Sequence, residues 1–411
     1  MKHCILFITF LLFLPGCLPT GSPDTERRDY TADVKWPASP NPACPQWLPG
    51  STVHLTHNLT LPEGCTYNQV RIVINQPGIT FDGGGVVMNG LTTRQRNNFD
   101  TPYAPGQAPT VGGIVIYGNE AGQRVEDVTI RNVQMLNYAG AVSVSFNLTA
   151  TTKTTLKAGN RTIHDGLRAA APQRLLFENL TIVNDHTTGI FLHRHVNHVR
   201  VVGSKVLGSG SAGVYLGDEG SHHELTGNFL EGNGYGYYDP NTRTRTARLS
   251  SATRREGIAV DGSANNLIAD NTFRDNGYHA INLYRNCYQQ HTQPDEFPRH
   301  QGASHNQITN NTFYASEDVW IAARQDRDLG GWDCGGERLP IPGSYWRDDA
   351  EFNSLLGNTF LLGAGVVVMD DNNTISSNRF AGRLRIAVGS QARTAIGDPV
   401  RDNTTNANEV H

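Results

Sequence analysis

Short apolar alternations recur along this chain, each entered through an Asn or Ser, one apolar residue and a Gly- or Asn-containing turn. The segments NLTIVNDHTTGIFLHRH, SKVLGSGSAGVYLGDE, NTFRDNGYHAINLYRN and NTFLLGAGVVVMDD share this order. Alternation over three or four positions predicts short strands with one buried face, and uninterrupted units of roughly 20 to 25 residues are the size of one repeat in a solenoid. Such a unit cannot bury a face alone. Coils must stack, with each strand pairing in parallel with its copy one turn on. The pairs Asn132/Asn137, Asn179/Asn184, Asn228/Asn233 and Asn271/Asn276 keep one spacing. Asn at a repeated turn tolerates left-handed backbone and can hydrogen-bond its copies above and below.

These segments, from about residue 68 to 395, resemble the repeats of right-handed parallel β-helix proteins. The resemblance implies an all-β solenoid of the carbohydrate-active group that includes polysaccharide lyases and mannuronan epimerases. Asp239 and Pro240 share two residues with the Asp-Pro-His-Asp stretch of the epimerases. Insertions at about 147–171, 234–255, 287–303 and 325–350 fall beside one strand row and are expected to wall a groove along it.

Aligning the strands on their inward pairs gives an outward column of Phe191, Tyr215, Ala259, Asn282, Trp320 and Val367. The next outward column reads His193, Gly217, Asp261, Tyr284, Ala322 and Met369, flanked by Arg194, Asp218 and Arg285, then by His195, Glu219 and Arg324. A smaller column before the strands places Glu256 beside His279, with Glu317 following.

The N-terminus alters the setting. Lys2 precedes the apolar run CILFITFLLFL, and LPGC at Leu14 to Cys17 resembles a bacterial lipobox. That resemblance implies a signal over residues 1–16, acylation of Cys17, and an envelope protein held at the outer membrane by its lipid alone. Residues 17–45, rich in Pro, Ser, Thr and Asp, then read as a tether, and 46–411 as a single solenoid domain. In an oxidising compartment Cys44 and Cys65 are expected to pair, and Cys287 with Cys334.

The formal net charge of −4 gives no sign of a nucleic-acid binder, while arginine far outnumbers lysine, which suits planar recognition of carboxylates. The expected partner is therefore an anionic polysaccharide. Arg194, Arg285 and Arg324 would hold its charges, and Phe191, Tyr215 and Trp320 its apolar ring faces. Glu256, His279, Asp218, Glu219 and His195 would complete the binding surface. His193, Asp261, Tyr284 and Arg285 are the expected catalytic set. Arginine neutralises a uronate carboxylate, and His or Tyr takes the weakly acidic proton on the adjacent carbon, leading to epimerisation or elimination. The same residue types leave other readings open. Asp218, Glu219 and Asp261 could act as paired carboxylates in hydrolysis or bind calcium, although no cofactor is expected. The charged rows could also be ion-paired surface on a glycan-binding envelope scaffold without turnover. Oligomeric state is not legible.

Overall fold

The computed structural model describes residues 29–90, 112–119, 124–147, 161–236, 238–239, 244–245, 254–286, 301–314, 317–330, 334 and 337–411. Cys17, Cys287, Pro240 and parts of the predicted insertions, above all 287–300, lie outside these residues. The molecule is a right-handed parallel β-helix whose strands run from Thr52 to Val410. One row is an 11-stranded all-parallel sheet that includes Val142–Asn147, Ile190–Leu192, Val214–Leu216, Ile258–Asp261, Ile281–Tyr284, Val319–Ile321 and Val366–Val368. Two further parallel rows complete each coil. In the early coils they are continuous, as in Gln173–Val183, and in later coils they separate, as in Asn197–Val202 and Lys205–Leu207.

The period-two pattern sets the core. Ile258, Val260, Ile281, Leu283, Val319, Ile321, Val366 and Val368 are buried on the inner face. Opposite them Phe273, Phe313, Phe360 and Phe380 form a continuous stack with centroid spacings of 5.1, 4.7 and 4.7 Å. Stacked copies one rung apart keep their side chains in register, so identical residues pack on each other without changing the coil.

The asparagines do two different jobs. Asn132, Asn137, Asn179 and Asn184 have φ between 51° and 55° and turn the corner between strands. In the next coils Gly203 and Gly227 occupy the equivalent of Asn179, with φ of 57° and 66°, where a side chain would be strained. Asn228, Asn233, Asn271 and Asn276 stand one position later and are buried. There the side-chain oxygen accepts the main-chain N–H of the coil before it, as in Ser204→Asn228→Asn271→Asn311→Asn358→Asn378→Asn408. A second ladder runs His223→Asn266→Asn306→Asn353→Asn373→Asn403. The equal spacing read from sequence therefore joins two columns that differ by one residue.

Part of the expected tether packs on the solenoid. Tyr30 and Val34 are buried against Val87, Leu136, Val183 and Leu207, and the Tyr30 hydroxyl donates to Glu231 at 3.4 Å. An apolar Tyr and Val spaced by one turn of the short helix Tyr30–Asp33 supply enough surface to dock the segment on the solenoid flank. Cys44 and Cys65 are disulfide-bonded. Cys334 is also disulfide-bonded, while its expected partner Cys287 falls outside the described residues. Among the described residues no helix is long and apolar enough to cross a membrane.

Candidate functional site

The outward column has the register read from sequence: Phe191, Tyr215, Ala259, Asn282, Trp320 and Val367 are partners on successive rungs. Asp261 and Tyr284 are partners as well. Phe191 stacks on Tyr215 at 5.0 Å, and His279 on Trp320 at 4.4 Å. Two aromatic platforms thus flank the small Ala259 and the buried Asn282.

Between those platforms lies a connected set of titratable groups. Tyr284 donates its phenol proton to Glu256 Oε1 at 2.9 Å, and Arg255 Nη2 donates to the Tyr284 oxygen at 3.0 Å. The same Arg255 nitrogen is 3.2 Å from Glu256 Oε1. Asn282 Nδ2 reaches Glu256 Oε2 at 3.5 Å, and its Oδ1 lies 2.9 Å from His279 Nδ1. Asn282 presents an oxygen there, so Nδ1 carries the imidazole proton and Nε2 keeps its lone pair. Beside this set the Tyr215 hydroxyl donates to Asp261 Oδ2, whose other oxygen accepts the Asn286 N–H at 2.6 Å. The Arg324 guanidinium lies 4.7 Å over the Tyr284 ring.

Burial sets the proton states. It pushes the Tyr284 phenol well above its ordinary value, although the Arg255 charge opposes the shift. Burial also holds the His279 imidazole down, to about 4. At neutral pH the site therefore offers a neutral imidazole and a protonated phenol. Tyr284, Glu256, Asp261 and Asn282 form the buried floor. Tyr215, Arg255, His279, Trp320 and Arg324 are half-buried and form the rim.

Several expected site residues are elsewhere engaged. Arg285 is engaged within the protein, with its guanidinium on Asp349 and the Arg347 carbonyl and its N–H on Asp348. Arg194, His195 and Asp218 are buried. His195 Nδ1 is 3.3 Å from Glu219, which also pairs with Arg168 on the helix Arg161–Ala170. His193 is half-buried, with its ring 5.6 Å from that of Phe191. Sequence reasoning missed Arg255. Its signal was adjacency to Glu256 at the end of an insertion, where no strand alternation assigns a face.

Glu317 extends a third ladder, Ser209→Asn233→Asn276→Glu317, and is completely buried. Burial pushes its carboxyl up to about 8. The folded state therefore binds a proton that the unfolded chain releases near 4.5. This contribution is complete below about pH 4.5 and is lost as pH rises toward 8. Glu317→Gln is expected to flatten that decline in urea-unfolding stability between pH 5 and 8, whatever its absolute effect. An unchanged slope would mean that Glu317 is ionised in its ladder.

Among the described residues, one group of three carboxylates, Glu351, Asp370 and Asp371, brings ligand oxygens within 4.8 Å. Arg393 already pairs with Asp370 at 3.0 Å and Asp371 at 2.8 Å, and Asp370 accepts the Ala350 N–H. An all-oxygen, ion-paired set lacks the imidazole or sulfur donors that softer transition metals favour. The acids considered for calcium, Asp218, Glu219 and Asp261, form no such group among the described residues.

Residues 181–331 match the family described as "Periplasmic copper-binding protein (NosD)". No curated protein sequence matches the chain. Among solved structures the chain is similar to the catalytic domain of a GH87 alpha-1,3-glucanase in complex with nigerose. Identity there is 12% and the TM-score 0.42, over 88% of this chain and 60% of that one. It is also similar to the periplasmic alginate epimerase AlgG, at 12% identity and TM-score 0.47 over 91% and 81% of the two chains. The DFA-IIIase from Arthrobacter chlorophenolicus A6 matches at 10% identity and TM-score 0.34 over 82% and 66%. The chain thus spans 60% of the glucanase catalytic domain it matches.

Proposed function

We propose that this chain is a bacterial envelope enzyme acting on an acidic, uronate-containing polysaccharide by removing the proton on the carbon beside a carboxylate. The observation that carries the reading is the continuous chain His279, Asn282, Glu256, Tyr284, Arg255 on the outward face, with Arg324 over Tyr284. Perturbed titratable groups concentrated between aromatic platforms are the arrangement that proton transfer on a sugar requires.

Each residue has a role. The Arg324 guanidinium makes no close ion pair or side-chain hydrogen bond among the described residues, although its charge acts on Asp348, and its planar fork suits a sugar carboxylate. Neutralising that carboxylate lowers the cost of the enediolate-like intermediate. His279 Nε2 takes the proton from the adjacent carbon. Tyr284 is the acid: it protonates the glycosidic oxygen as that bond breaks, or the opposite face of the carbon. The first outcome gives an unsaturated product and the second an epimer. Glu256 and Arg255 hold the phenol in place and take up the charge change.

Among the described residues the one cluster of three potential metal ligands is Glu351, Asp370 and Asp371, and no step is assigned to a metal. The periplasmic description of that family and the apolar N-terminal run both favour an envelope location, with Cys17 as the proposed lipid anchor.

A neutral His279 predicts the pH profile. The base is active when unprotonated, so kcat/KM falls as pH drops through about 4, where His279 titrates. Measured on a polyuronate, an acid limb near 4 supports His279 as base. A limb near 6.5 would assign that step to a solvated histidine instead.

A further inference from the structure

The glycan path does not end at Trp320. Beyond its indole, toward the C-terminal end of the solenoid, lies a cleft of ≈ 790 Å³. Trp320, Val367 and Met369 form its apolar floor, and Gln391 and Thr394, from the short helix Gln391–Ala395, form its rim. Val367 is the partner of Trp320 on the next rung, so the cleft begins about 4.8 Å from the Trp320 rung and continues the same outward face.

This cleft lacks the guanidinium groups that Arg255 and Arg324 bring to the Tyr284 centre. No Arg or Lys lines it, and its one charged lining residue is Asp326. Asp326 is spent on structure: its carboxylate accepts from Ser390 Oγ, Gln391 N at 2.8 Å and Ala392 N at 3.0 Å, clipping the short helix against the sheet. A second uronate placed there would meet a carboxylate and no cation, which raises the cost of desolvating its charge. A neutral ring meets what it needs. Its apolar face packs on the indole and on Val367, and its hydroxyls meet the exposed Gln391 amide, which makes no side-chain hydrogen bond among the described residues, and the Thr394 hydroxyl.

We infer that this cleft is a subsite for an uncharged sugar of the same glycan, so that the substrate is a mixed acidic heteropolysaccharide in which a neutral sugar lies close to the uronate. The inference rests on the proposed function for its uronate half, but the cleft can be tested by binding alone.

Methionine supplies the probe. The chain has four, of which Met88 and Met135 are completely buried in the core and Met369, 5% exposed at the edge of that core, lines the cleft. With ¹³C-methyl-methionine protein, titration with neutral hexose, 6-deoxyhexose and N-acetylhexosamine disaccharides should shift the Met369 methyl signal and leave Met88 and Met135 in place. A homopolymeric uronate trisaccharide should move Met369 less at equal concentration. Val367→Trp, which fills the floor, should abolish the neutral-sugar shift while the core signals report an intact fold. If no neutral disaccharide moves Met369, or the uronate trisaccharide moves it as strongly, the inference is overturned. Deuterium exchange on the sugar, measured separately, reports on the proton-abstraction reading. Its failure with Met369 still responding would leave the neutral subsite standing and remove only the chemistry.

Discussion

Tyr284→Phe should lower turnover on a polyuronate by about 10²–10⁴-fold, the usual worth of a positioned proton donor. The phenol oxygen is the one atom that contacts both Glu256 and Arg255, so its removal ends proton delivery. The loss should fall on kcat and kcat/KM together, because the ring that supports Arg324 remains and substrate binding is little changed. Structure should survive. Glu256 and Arg255 keep each other at 3.2 Å, so the two hydrogen bonds lost with the phenol leave both partners paired, at a cost of about 1–3 kcal/mol. Activity at the wild-type level would remove Tyr284 from the mechanism. A rise in KM with kcat intact would reassign it to binding.

The second large effect concerns the solenoid. Asn311→Ala should lower stability by about 1–3 kcal/mol, because the buried Asn271 N–H loses its partner and the Ile268 carbonyl keeps only its strand ladder. Asn311 Oδ1 accepts the Asn271 N–H at 2.9 Å, and Asn311 Nδ2 donates to the Ile268 carbonyl at 2.8 Å. Alanine supplies neither. Its neighbour gives the contrast: Asn310 is exposed with a φ of 56°, and glycine adopts that backbone freely, so Asn310→Gly should cost less than about 1 kcal/mol. Urea titrations followed by far-ultraviolet circular dichroism compare the two. Because coils interact mainly with their neighbours, the Asn311 variant should also broaden the transition or split it near the middle of the solenoid. Equal midpoints for the two variants would mean that the ladder does not hold the coils together.

That one-residue difference also marks how far the sequence could be read. Strand register was legible because alternation has a period of two and each coil repeats it, so Phe191, Tyr215, Asn282 and Trp320 could be aligned. The division of labour between Asn179 and Asn228 was not, because both are an Asn before an apolar residue. Only the backbone separates the left-handed corner from the buried ladder.

Where the expected site residues leave the groove, strand length explains it. Alternation assigns faces only while the strand lasts, and these strands have three or four residues. The strand ends at Leu192 and at Leu216, and His195 and Glu219 then adopt φ of 62° and 54°, which turns their side chains out of the groove and into the corner. Arg285 follows the last strand residue, Tyr284, and is drawn into a polar interior by Asp348 and Asp349. Asp261 and Tyr284 lie inside their strand and were placed correctly. The link from Tyr284 back to Glu256 was hidden for another reason: a tyrosine ring can lean along its strand and reach a residue that is not its rung partner.

The most direct test of proton abstraction is proton NMR of homopolymeric and mixed polyuronates incubated with the protein in deuterated buffer. The account predicts deuterium at the carbon beside the carboxylate, either in a ring of inverted configuration or alongside vinyl signals, and its absence with Tyr284→Phe. New reducing ends without deuterium or vinyl protons, or a panel left unchanged, would contradict it.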